Sequence, residues 1–232
     1  MKIVIFSDVH GNLSSLEALS KTSDFMTADK KIFLGDAVIG CSRPNECIEF
    51  LENTKTECVI GNNDIYVCDH VPAVDLEEFS EVKKQMLKYM SSIVTDQNKQ
   101  KVMTWKKEIY LKFGNKTLYF THYAWEKYKG DFNVVDNPKK INFKSRKKMF
   151  KNIKADYVFF GHEHSFDNFT DGKQYFYCVG TLGLRNPGYY LVVDIDKDEI
   201  EIQEKFVEFD IDYEINLIDK AGYPYEKNKI KS

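Results

Sequence analysis

The 232-residue chain has no two cysteines in C-x-x-C spacing, and its five cysteines (Cys41, Cys47, Cys58, Cys68, Cys178) are odd in number. Neither a zinc–thiolate site nor a disulfide framework is expected, and free thiols suit a reducing, cytoplasmic compartment. No apolar run approaches the ~20 residues needed to cross a bilayer. The opening Met-Lys-Ile-Val-Ile-Phe reads directly into an apolar strand with no small-residue cleavage site, so neither a membrane span nor a secretory leader is expected. Low-complexity stretches, linkers and strong internal repeats are also missing, which leaves one domain over residues 1–232. Excess charge of one sign is lacking too. The net charge of −3, from 33 Lys and Arg against 36 Asp and Glu, argues against a protein built to neutralise nucleic-acid phosphates. A small phosphate-bearing substrate remains compatible, because bound cations would add positive charge that this tally omits.

What is present is material for a packed core, with 43% hydrophobic and 14% aromatic residues. Residues 1–64 repeat strand, polar turn and helix. Strands are predicted over 2–6, 31–34 and 57–60, with helices over 13–21 and from Pro44, where the missing N–H of proline does no harm. This spacing is the pattern of parallel βαβ units. Asp8, Asp36 and Asn62 each follow a strand, 28 and 26 positions apart. Parallel neighbours would carry all three to one carboxyl edge of a sheet. Apolar residues at helical intervals predict a helical insertion at about 76–106, broken near Thr95-Asp96. Further strands are expected over 108–113, 116–121, 157–160, 166–170, 174–179, 189–194 and 200–209, the last four antiparallel. A helix with a basic face is expected over 139–154, and a polar, frayed tail from Ala221.

Four of the five histidines, His10, His122, His162 and His164, stand in turns directly after predicted strands, beside other ligand types. Each short motif alone is weak, since Asp, Asn and Gly favour turns for backbone reasons. Their recurrence at successive strand ends is better explained by one imidazole and carboxylate set than by unrelated turn residues. His70 fits no such motif and reads as a surface histidine.

Asp8-x-His10, Gly35-Asp36, Gly61-Asn62-x-Asp64, His122 and Gly161-His162-x-His164 resemble the five motifs of the calcineurin-like metallophosphoesterase superfamily. The likeness spans residues 3–164 and runs more loosely through the C-terminal strands. Residues 7–12 and 35–51 are similar to the small bacterial branch that includes stand-alone phosphodiesterases. The resemblance implies an α/β fold of two mixed β-sheets packed as a sandwich and flanked by helices, in four αββα layers. It implies that Asp8, His10 and His164 bind a first metal, Asn62, His122 and His162 a second, and that Asp36 bridges both. Two divalent ions are the implied cofactors, Mn foremost, with Fe, Zn, Ni or Mg as alternatives, since imidazole and carboxylate ligands without thiolates suit such ions. The implied activity is hydrolysis of phosphodiesters or phosphomonoesters by a hydroxide bridging the metals. Asp36, Asn62, Asn63 and Asp64 are then the catalytic candidates.

Two positions depart from the family pattern. Asn63 stands where the motif usually has a histidine that serves the leaving group. An amide cannot deliver a proton at neutral pH, which points to substrates with acidic leaving groups. Asp64, which would orient that histidine, is left as either a turn residue or a functional one. Tyr123 follows His122 where many relatives have glycine. With Trp125 nearby it is a candidate for substrate stacking, against packing at a strand end. Arg43 is a candidate for a substrate phosphate. The alternative functions are a dinucleoside polyphosphate or nucleotide hydrolase and a non-catalytic binding scaffold on the same fold. A small phosphate ester or nucleotide is the expected partner, with neither membrane nor nucleic acid.

Overall fold

The computed structural model describes residues 1–71, 73–124, 147, 149–197 and 199–224, and in it two mixed five-stranded sheets lie face to face. In the first, β1 (Lys2–Phe6), β2 (Lys30–Phe33) and β3 (Glu57–Cys58) run parallel. The antiparallel pair β9 (Gly188–Asp196) and β10 (Glu199–Val207) extends this sheet on the far side of β1. The second sheet has the order β4 (Glu108–Phe113), β5 (Lys116–Thr121), β6 (Tyr157–Phe160), β8 (Tyr175–Val179) and β7 (Phe166–Thr170). Strands β4 and β5 form the expected hairpin through Gly114, whose φ of 53° the turn requires. The expectation that the C-terminal strands are all antiparallel holds for β7–β8 and β9–β10, but β8 runs parallel to its other neighbour β6.

Burial explains why β1 reads as one continuous apolar run. Ile3 and Ile5 face the second sheet, where they meet Leu118, Phe120, Phe159 and Val179. Val4 and Phe6 point the other way, into a layer of helices. A strand covered on both faces has no polar side to alternate with. The covering helices are α1 (Leu13–Ser20), α2 (Ser23–Thr27), α3 (Pro44–Asn53), α4 (Asn62–Cys68), α5 (Ala73–Glu78), α6 (Glu81–Ile93) and α7 (Asp96–Val102). The outer face of the second sheet packs Tyr119, Val158, Phe160 and Phe176 against Phe150.

The segment predicted as helical at about 76–106 contains α6, α7 and the end of α5, which begins earlier at Ala73, and the expected break is the N-cap Thr95, whose side chain accepts from Asn98 N. Most of the predicted basic helix over 139–154 lies outside the described residues. Gly61-Asn62-Asn63-Asp64, read as a turn, is instead the start of α4, whose seven residues are too few to show a helical period. A further helix, α8 (Ile211–Ala221), is also missing from the sequence reading. Its signals are there, in the Asp210 N-cap and in Gly222 at a left-handed C-cap. No described helix is long and apolar enough to cross a membrane.

Candidate metal centre

The carboxyl ends of β1, β2, β5 and β6 meet at one edge of the sandwich, and cross-links between turns hold them there. Asp8 N donates to Gly35 O (3.0 Å), His10 N to Asp36 O (3.0 Å) and Gly161 N to His122 O (2.9 Å). Five of the residues carried there have left-handed backbones: Asp8 (φ 55°), His10 (55°), Asp36 (62°), His162 (70°) and His164 (58°). Each such residue costs roughly 1–2 kcal/mol, although Asp and His tolerate the region better than most. Strain concentrated in this way accompanies functional sites.

Two groups of donor atoms result, each group lying within 4.8 Å: Asp8, His10, Asp36 and His164, and Asp36, His122 and His162. In the first, His10 Nδ1 donates to Ile39 O (2.6 Å), which leaves Nε2 facing inward. That nitrogen stands 2.9 Å from His164 Nε2, and Asp8 Oδ1 lies 3.3 Å from His164 Nε2 and 3.6 Å from His10 Nε2. Asp8 Oδ1 is buried and has no well-directed hydrogen bond. In the second group, His122 Nδ1 donates to Leu34 O (2.7 Å), leaving Nε2 3.1 Å from Asn62 Oδ1 and 3.4 Å from Asp36 Oδ2. His162 Nδ1 is 3.0 Å from the same Asn62 oxygen. Lone pairs thus converge from Asp, Asn and His on two points, a donor set that fits divalent cations. The imidazole of His164 is 41% exposed, so the centre opens to solvent past it.

Asp36 is common to both groups and is gripped from behind. Asn63 N donates to Asp36 Oδ1 (2.9 Å) and Asn63 Nδ2 to Asp36 Oδ2 (2.5 Å). Asp64, by contrast, spends its carboxylate on backbone amides. Oδ2 accepts from Asp36 N (2.8 Å) and Gly61 N (2.9 Å), and Oδ1 from Ala37 N (2.8 Å) and Val38 N (3.3 Å). It is fully buried and ties the β2 turn to the start of α4, as the turn-residue alternative for it expects.

The charges agree with a site built for cations. Burial pushes the Asp8 carboxyl up, but the imidazoles of His10, His164 and His122 outweigh it and hold Asp8 well below the usual carboxylate range. Burial likewise opposes ionisation of Asp36, and His122 overcomes it, so that Asp36 too is lowered. Burial pushes His122 down, yet Asp36 and Asp8 raise it to about 9. His162 is pushed down to about 3 by burial and by the charge of His122. Burial and the neighbouring Asp36 charge raise Asp64 to about 6 against its hydrogen bonds.

Two glycines are required by contact. A Cβ on Gly61 would fall 2.2 Å from Asp36 Oδ1 and 2.4 Å from Asp36 N, and one on Gly161 would fall 2.0 Å from Ser7 Oγ and 2.6 Å from Asp8 Oδ2. The Gly-Asn and Gly-His pairs noted in the sequence are thus sites of close approach between turns.

The remaining candidates settle differently. Tyr123 is 1% exposed. Its ring packs 4.5 Å from that of His162, and its hydroxyl donates to Glu163 Oε1 (3.2 Å), so it backs a ring of the site, as the strand-end packing alternative expects. Trp125 lies outside the described residues. Arg43 is committed to the scaffold: Nη2 donates to Ser14 Oγ (2.9 Å) and pairs with the fully buried Glu214 of α8, and the guanidinium lies over the Tyr213 ring. This tie to α8 carries no signal in the sequence around Arg43. His70 is exposed and pairs with Asp69. Lys83 Nζ donates to Asn63 Oδ1 (2.6 Å), a contact across 20 positions for which the sequence carries no signal.

Residues 1–198 match the family model described as the calcineurin-like phosphoesterase superfamily domain. An uncharacterised protein of Methanocaldococcus jannaschii is 26% identical over 249 residues, covering 96% of this chain and 93% of that one. Among solved structures, a metallophosphoesterase from Sphaerobacter thermophilus aligns at 20% identity with a TM-score of 0.73, and a hypothetical protein from Pyrococcus horikoshii OT3 at 15% with a TM-score of 0.76. Each covers 99% of this chain and 96% of its own. These two likenesses extend the fold over the C-terminal strands and α8. With the family model matched from β1 through β9 and over both donor groups, the chain belongs to the calcineurin-like phosphoesterase superfamily.

Proposed function

We propose that this chain is a metal-dependent phosphoesterase that hydrolyses phosphomonoesters or phosphodiesters at the centre around Asp36. The observation that carries this reading is Asp36 itself, a buried carboxylate common to two donor groups and clamped through both oxygens by Asn63. In this reading Asp8, His10 and His164 hold one divalent ion, Asn62, His122 and His162 hold the second, and Asp36 serves both. Manganese is the first expectation, with Fe, Zn, Ni or Mg as alternatives, because the donors are nitrogen and oxygen without thiolate. Such ions, when bound, acidify water and offset the charge that grows on phosphoryl oxygens.

The chain's own residues prepare that chemistry. The Ile39 and Leu34 carbonyls fix the tautomers of His10 and His122 by accepting from Nδ1. Tyr123 supports His162, and Asp64 anchors the turn that carries Asp36. Asn63 can donate a hydrogen bond but no proton at neutral pH, so esters with acidic leaving groups, aryl esters or phosphoanhydrides, suit this site. Clustering these carboxylates and imidazoles without an ion would be costly, which weighs against a purely scaffolding role.

The test is hydrolysis of p-nitrophenyl phosphate and bis(p-nitrophenyl) phosphate by chelator-stripped protein reloaded with Mn²⁺, with Asp36→Asn beside it. Metal-dependent turnover that is lost in Asp36→Asn is expected. A folded protein inert with every divalent metal tried would sink the reading.

A further inference from the structure

Lys83 belongs to α6, in the segment that reads as an insertion, yet its ammonium reaches the centre. Nζ donates to Asn63 Oδ1 at 2.6 Å, and Asn63 Nδ2 donates onward to Asp36 Oδ2 at 2.5 Å. An ammonium only donates and a carboxylate only accepts, so this chain of partners admits one orientation of the Asn63 amide. The reach is supported from below. Ser80 caps α6 by accepting from Lys83 N (3.2 Å). Met86, Leu87 and Met90 anchor α6 in the same core as Tyr66 and Val67 of α4, the helix that carries Asn63. Phe79 packs edge-on to Tyr66, and Lys83 Nζ lies 5.8 Å from the Phe79 ring centroid. Lys83 is half-buried, and Asn63 is 7% exposed.

We propose that Lys83 is a positioning and specificity-determining residue: it holds the Asn63 amide on Asp36 and makes the site favour a doubly charged phosphoryl group over a singly charged one. The proposal rests on the reading of this centre as a phosphoesterase site. Its physical basis is charge. Asp8, Asp36 and Asp64 are three buried carboxylates within one set of turns, and each repels an incoming phosphate in proportion to the charge that phosphate carries. A cation one amide group away from Asp36 acts with the opposite sign and with the same proportionality, most strongly where water is partly excluded. A lysine that served only packing would affect singly and doubly charged substrates alike.

Two esters with the same leaving group separate these roles: p-nitrophenyl phosphate, a dianion at neutral to alkaline pH, and bis(p-nitrophenyl) phosphate, a monoanion. With manganese-loaded wild type, Lys83→Met, Lys83→Gln and Lys83→Arg, kcat and KM are measured for both. Removing the charge is expected to lower kcat/KM for the monoester by about tenfold more than for the diester, with Lys83→Arg restoring the ratio. Added salt is expected to shrink the wild-type preference. Equal losses with both esters, or no loss, would overturn the proposal. Calorimetric binding of inorganic phosphate and of dimethyl phosphate to the manganese-loaded proteins reads the same preference without turnover. Phosphate is expected to bind about tenfold more weakly to Lys83→Met and dimethyl phosphate about threefold more weakly, and equal losses for the two ligands, or no loss of phosphate binding, overturn the proposal. A wild type that shows the charge preference in binding but hydrolyses neither ester would refute the proposed function and leave the role of Lys83 standing.

Discussion

His10 Nε2 and His164 Nε2, which belong to residues 154 positions apart, stand 2.9 Å from each other. The first already spends its other nitrogen on the Ile39 carbonyl, so Nε2 is the nitrogen turned toward the site. Asp8 Oδ1 adds a third electron-rich atom at 3.3 Å from His164, buried and without a well-directed hydrogen bond. A bound cation would stabilise such crowding.

Removal of metal should therefore cost stability. At a free Mn²⁺ concentration about a hundred times its Kd, the reloaded protein should gain ~2.7 kcal/mol. This corresponds to a rise in melting temperature of roughly 5–10 °C for a chain of this size. Thermal melts of chelated and Mn²⁺-reloaded protein check this, and superimposable melts would contradict it.

Gly61→Ala should damage the centre without touching a donor. The new methyl would sit 2.2 Å from Asp36 Oδ1, so either the turn or the carboxylate must move. A loss of ~1–3 kcal/mol in stability is expected, together with about tenfold or greater loss of Mn²⁺ affinity. Urea unfolding and calorimetric titration measure the two effects separately.

Asn63→His should alter leaving-group dependence. An imidazole at that position can supply the proton the amide cannot, so turnover of alkyl phosphates should rise relative to aryl phosphates by about tenfold or more. A comparison of methyl and p-nitrophenyl esters reads the change. An equal effect on both would mean that the leaving group is not what position 63 serves.

Arg43 and Glu214 should behave as a structural pair. Arg43→Met alone strands a fully buried carboxylate and should destabilise the fold by ~3–5 kcal/mol. Adding Glu214→Leu should recover most of that loss, because neither charge is then left unpaired. Denaturant melts of the two single variants and the double variant decide this. In the double variant KM for the ester substrates should stay at the wild-type value, which a phosphate-binding role for Arg43 would not allow.

Much of the molecule was legible in the chain because the signals are local. The apolar runs ending in Asp8, Asp36 and His122 announce strands buried on both faces. The spacing of Asp8, Asp36 and Asn62 places three polar turns at one edge. Helix α8 was equally legible through Asp210 and Gly222 but was obscured by its place at the end of a run of strands.

What the sequence by itself determined is the set of residue types and their order along the chain: which donors exist, that each follows a strand, and that histidine is absent at position 63. Only the tertiary structure decided which donors share a point, that Asp64 serves backbone amides, that Tyr123 lies behind His162, and that Arg43 answers to Glu214. It also decided that Lys83 reaches Asn63. The physical reason is range. Strand and turn preferences act over a few residues and leave a mark in composition and period. The contacts that give these side chains their roles span 20 to 171 positions, and they exist only once burial has chosen which turns and helices meet.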